Sequence, residues 1–205
     1  MSTSTRPASP AVSLLVLLAL AAGGCSDSTD GPGTSAPSNS PSSSAPVPDE
    51  VRTKTTLGTV TGRLAKRDRL RVATVAGEVA DRWFDAAYVG GDYPRRAFDD
   101  AFPGFTPGAR AQALGDRALM SNQDIARRID AVTASRRMVR VDILAVRGRA
   151  VGMTARFVLD LTTTGELRRK VEVRGRLLLT PTDNGWKVFG YDVNKDVAGL
   201  KGGAR

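Results

Sequence analysis

Histidine is absent from all 205 residues, and cysteine occurs once, at Cys25. The first absence removes the imidazole base, the Ser–His and Cys–His nucleophile pairs and any histidine-ligated metal. The second removes intramolecular disulfides, so any folded domain must hold together by its core. Long apolar runs are also missing. The stretch Ala11–Ala22 is twelve residues, short of the roughly 20 that a spanning helix needs. No phosphate-cradling glycine loop is present either: Gly104, Gly108 and Gly115 match no such spacing. Residues 26–50 lack any base and carry four acids.

What is present divides the chain in three. A positive start with Arg6, the apolar stretch to Ala22 and the small residues Gly23-Gly24 before Cys25 form a cleavable export signal. Residues 26–50, SDSTDGPGTSAPSNSPSSSAPVPDE, contain one Val and no other large apolar side chain. Such a segment cannot bury enough surface to offset its ordering entropy. It reads as a disordered tether, spanning roughly 25–30 Å on average as a flexible coil. Residues 51–205 are long enough to bury one core. They carry 29 Lys+Arg against 17 Asp+Glu, a net charge of +12.

Within that domain, Val51–Leu64 suggests an edge strand. Val72, Val75, Ala76, Val79, Trp83 and Ala87 recur at helical spacing after Asp68, with Glu78, Asp81 and Asp85 on another face, up to a stop at Gly90-Gly91. Pro94–Ala101 suggests a short second helix. A third is expected from a Thr106 cap and Pro107 to about Leu119. From Ile129 the period becomes two. Strands are expected around Val139–Ile143, Val151–Leu161, Val171–Leu179 and Trp186–Val193, with turns at Gly148, Thr164-Gly165 and Asp183-Asn184-Gly185. The fold class is α+β, with N-terminal helices covering the apolar face of an antiparallel meander.

Two resemblances follow. Leu20-Ala21-Ala22-Gly23-Gly24-Cys25 resembles the cleavage site of bacterial lipoproteins, and the Arg-rich chain is similar to anchored lipoproteins of high-GC Gram-positive bacteria. The resemblance implies a signal peptide at 1–24, a diacylglyceryl group on the Cys25 sulfur, and a cell-membrane protein on the extracytoplasmic face. A plain secretory signal with an incidental cysteine is the alternative. The second resemblance is to the NTF2-like (cystatin-like, SnoaL-like) α+β cone. Ala80-Asp81-Arg82-Trp83-Phe84-Asp85-Ala86-Ala87-Tyr88-Val89-Gly90-Gly91-Asp92-Tyr93 is similar to its first helix. Gly185-Trp186-Lys187-Val188-Phe189-Gly190-Tyr191-Asp192-Val193 is similar to its closing strand.

The NTF2-like resemblance implies a curved antiparallel sheet over 51–205, with a pocket at the open end of the cone. Trp83, Tyr88, Phe102, Phe105, Phe157, Tyr191 and Asp192 are its candidate lining; plain core packing is the competing role for the aromatics. The fold hosts binding modules and enzymes alike. The leading expectation is a non-catalytic module that binds a ligand or protein at the envelope, with no metal and no cofactor. The alternative is an isomerase or dehydratase using a Tyr/Asp pocket. Arg140, Arg156, Arg168, Lys170 and Arg174 are candidates for a basic face. Either that face meets anionic lipid or wall polymer, or Asp142, Asp160 and Glu172 neutralise it through cross-strand pairs. A protein partner or a second copy of the chain is a further expectation; nucleic acid is not.

Overall fold

The computed structural model describes residues 51–199. The export signal, Cys25, the tether and residues 200–205 lie outside the described residues. Five strands form one sheet in the order β1-β2-β3-β4-β5: β1 Lys54–Thr61, β2 Ala131–Val146, β3 Arg149–Thr164, β4 Arg169–Thr182 and β5 Gly185–Gly199. The last four pair antiparallel, whereas β1 runs parallel to β2. The sheet is therefore mixed and open rather than purely antiparallel. Among the described residues, no helix is long and apolar enough to cross a membrane.

Helix α1, Lys66–Phe84, covers the inner face of this sheet. It begins before Asp68, which sits in the first turn, where a carboxylate favours the positive end of the helix dipole. The apolar stripe read from the sequence is the buried one: Val72, Ala76, Val79 and Trp83 are all buried. Small residues let the helix lie close. A Cβ on Gly77 would sit 2.1 Å from Thr55 Oγ1 of β1. A π-turn, Asp85–Val89, ends the helix before Gly90.

Pro94–Ala101 is not helical. Phe98, Ala101 and Phe102 have helical spacing because all three dip into the core. The backbone between them is held otherwise. Arg95 donates from Nε to the Ala97 carbonyl and from Nη1 to those of Ala86 and Gly90, which pins the segment to the end of α1. The third expected helix is present as two pieces, α2 Pro107–Gly115 and α3 Arg117–Met120, broken at Asp116. The Thr106 hydroxyl caps α2 by accepting from Ala109 N. Residues 104–106 bond along the edge of β5, through Thr106 N to Val188 O and Val188 N to Gly104 O.

The turns fall where expected. Arg147 and Gly148 both have positive φ, as a two-residue hairpin loop requires. At the last hairpin Gly185, not Asn184, takes the positive φ. Two irregularities matter for side-chain direction. The register of β2 on β3 skips Ser135, and that of β5 on β4 skips Phe189. Each bulge adds one residue and reverses which side chains face the core beyond it.

Candidate functional site

The aromatic candidates are brought together, but as packing. Trp83 lies between α1 and the sheet with its ring centroid 5.1 Å from Phe157, 5.5 Å from Tyr88 and 6.3 Å from Phe105. Phe102 packs at a tilt against Phe105, with ring centroids 5.6 Å apart. All five are buried. Their polar atoms are spent on backbone: Trp83 Nε1 donates to Met120 O, and Tyr88 Oη donates to Leu119 O. Burial, with the Asp124 carboxylate adding to it, holds the Tyr88 phenol well above its ordinary pKa. It is a neutral structural donor.

Tyr191 and Asp192 do not form a shared pocket. The expectation that Asp192 points inward assumed an unbroken alternation from Trp186. The bulge at Phe189 shifts that phase, so Val188 and Val193 are buried while Asp192 faces outward. There it pairs with Arg176 at 3.0 Å. Tyr191 is half-buried and donates to Asp116 Oδ2 at 2.7 Å. Burial and that carboxylate both raise its pKa. The partner of this tyrosine is thus a helix-break aspartate 75 residues away, which no strand periodicity reveals.

The other bulge, at Ser135, turns Arg137 inward. Its side chain is 3% exposed and is held by Asp81 at 2.7 Å and Asp85 at 2.8 Å, with Nε donating to Thr53 Oγ1 at 3.0 Å. Thr53 in turn donates to Asp81. The guanidinium lies over the Phe84 ring. This cluster floors a cleft of about 500 Å³ between α1 and the start of β1, edged by Glu78 and Arg52. A buried arginine held through Nε and Nη2 is a clamp that ties β2 to α1. Strand periodicity gives no sign of which of Arg136 and Arg137 is buried, because the bulge at Ser135 shifts the phase.

On the outer sheet face the strands put charges in rows. Arg136, Asp160, Glu172 and Asp196 lie side by side across β2 to β5; four residues along, Arg140, Arg156, Arg176 and Asp192 do the same. The rows neutralise themselves and each other. Arg136 meets Asp160 at 2.9 Å, Arg156 meets Asp142 at 3.1 Å, and Arg174 between the rows meets Glu172 at 3.0 Å and Asp196 at 3.2 Å. Arg140 reaches Asp142 at 4.0 Å. Partial burial raises the Asp142 pKa, but hydrogen bonds from Thr59 N–H and Arg156, with the Arg156 and Arg140 charges, outweigh it and hold the carboxyl below its ordinary value. Of the basic candidates, Arg140, Arg156 and Arg174 are therefore ion-paired. Lys170 is exposed on this face without an ion pair among the described residues, and Arg168 lies in the loop before β4 rather than on it.

A second basic region is absent from the sequence reading. Arg95, Arg96, Arg117 and Arg127 surround a cleft of about 310 Å³ beside α3. They come from three separate segments with no periodicity linking them. Only a charge tally of the irregular stretch 93–128 points there. Among the described residues, no three acids, histidines or cysteines gather as a metal site. No protein-family model, no curated protein and no solved structure matches this chain.

Proposed function

We propose that this chain is a lipoprotein, anchored through Cys25 at the extracytoplasmic face of the cell membrane, whose α+β domain is an NTF2-like module for binding rather than catalysis. The observation that weighs against catalysis is the interlocked ring cluster of Trp83, Tyr88, Phe105 and Phe157, which fills the space between helix and sheet. In an NTF2-like enzyme, the catalytic carboxylate and tyrosine work inside that space. Here Asp192 is ion-paired on the opposite face and Tyr191 bonds to a surface aspartate. Support for the NTF2-like reading is the order of elements after β1: a helix across the inner face, then four long strands in a meander, the last of which contains Trp186–Val193.

The anchor rests on Cys25 and its neighbours. Two acyl chains hold a protein firmly, at about 0.8 kcal/mol per buried CH₂. Full-length chain expressed in a bacterium with lipoprotein processing is expected in the membrane fraction, with an intact mass that includes a diacylglyceryl group. Cys25→Ala should lose both. Equal mass and equal partition of the two forms would overturn the anchor.

A further inference from the structure

We infer that the cleft beside α3 is a binding site for a phosphate group, distinct from the basic sheet face. Its four guanidinium groups come from Arg95 and Arg96 after the π-turn, Arg117 at the start of α3 and Arg127 in the 3-10 turn Ala126–Arg128. Arg95 is fixed in place: Nε and Nη1 hold backbone carbonyls and its plane lies 4.1 Å from the Phe98 ring centroid. Nη2 is left over. The side chains of Arg96, Arg117 and Arg127 have no ion pair or hydrogen bond among the described residues, and all three are exposed.

One carboxylate, Asp124, lines the same cleft, and it is already spoken for. Lys195 reaches in from β5 with its side chain 4% exposed. It donates to Asp124 Oδ1, Ala118 O and Ser121 O, each at 2.8 Å. The buried lysine cancels the only acid there, so four arginines stand with no counterion. Everywhere on the outer sheet face the opposite holds: each arginine of the two rows lies near a carboxylate. Like charges gathered at one cleft repel, and an anion is what relieves that repulsion.

The chemistry selects phosphate. Planar guanidinium forks bind phosphate oxygens in bidentate fashion; those of Arg96, Arg117 and Arg127 are open to do so, and Arg95 adds a positive charge fixed in position. Gln123 adds an amide at the rim. The volume is at the low end for ligand sites, which suits a phosphate with a small substituent rather than a large cofactor. A phosphodiester headgroup and free phosphate share this chemistry. The inference does not depend on the lipid anchor.

The test uses the full chain carrying Cys25→Ser, so that no acyl group intervenes. Calorimetric titration with inorganic phosphate and with pyrophosphate is run beside flotation on vesicles of phosphatidylglycerol and of phosphatidylcholine. The site predicts saturable binding of a phosphate probe, or preference for phosphatidylglycerol over phosphatidylcholine. Each of Arg96→Gln, Arg117→Gln and Arg127→Gln should weaken it roughly tenfold, the scale of one lost charged hydrogen bond. Phosphate binding without vesicle preference identifies the free anion; vesicle preference alone identifies the headgroup. Arg140→Gln with Arg156→Gln and Arg174→Gln, on the sheet face, should leave binding within twofold. Circular dichroism checks that each variant is folded. Absence of both kinds of binding, or an equal loss in the sheet-face variant, would overturn the site.

Discussion

The outer sheet face and the cleft beside α3 are both rich in arginine, yet they are opposite electrostatic objects. On the sheet, Arg136, Arg140, Arg156, Arg174 and Arg176 face Asp142, Asp160, Glu172, Asp192 and Asp196. In the cleft, four arginines face Asp124, and Lys195 has already claimed it. A net charge of +12 over 51–205 therefore says little by itself. What matters is where counterions are missing. A strand ladder brings cross-strand neighbours to fixed positions, so acids placed along β2–β5 reach the arginines beside them. The cleft is gathered from irregular segments, where no such register supplies a partner.

The comparison is broken or sharpened by substitution. The largest effect belongs to a third, buried arginine. Asp81→Asn with Asp85→Asn should cost about 3–5 kcal/mol in urea unfolding, because Arg137 keeps its charge without compensation. Arg137→Met should cost less, since the two acids it leaves are partly exposed and can be hydrated. If Arg137→Met proves the costlier change, the clamp is not electrostatic.

Acid separates the regions next. The Asp142 carboxyl sits below its ordinary pKa when folded. Its contribution to stability is thus present above the unfolded value of about 3.9 and is lost as pH falls through the folded value. Wild type should lose this increment below about pH 4, and Asp142→Asn should show a flatter stability–pH curve there. Parallel curves would contradict the pairing.

The smallest effects are the exposed arginines themselves. Arg156→Gln should destabilise by about 0.2–1 kcal/mol, the range of a surface ion pair. Arg117→Gln should stay within about 0.5 kcal/mol, and at low salt it should stabilise, because it removes repulsion and breaks no pair. Thermal melts at two salt concentrations distinguish the signs.

Much of the fold was legible in the sequence. The α1 stripe, the Thr106 cap and the period-two strands come from local patterns that burial then respects. The illegible parts share a cause. Single-residue bulges at Ser135 and Phe189 reverse strand phase, which sends Arg137 in and Asp192 out. Phe98, Ala101 and Phe102 mimic a helix because an irregular segment can bury the same spacing. Tyr191–Asp116 and the arginine cleft join residues distant in sequence, and tertiary proximity leaves no periodic trace. The cross-strand pairing of Asp142, Asp160 and Glu172 was readable, because β pairing is itself periodic.

The contrast between paired and unpaired arginines can be read directly from the Nε–Hε resonances of the full chain as phosphate is added at constant ionic strength. The account predicts saturable shifts at Arg96, Arg117 and Arg127, with Arg140, Arg156 and Arg174 unmoved. Uniform shifts across both groups, or shifts confined to the sheet face, would contradict it.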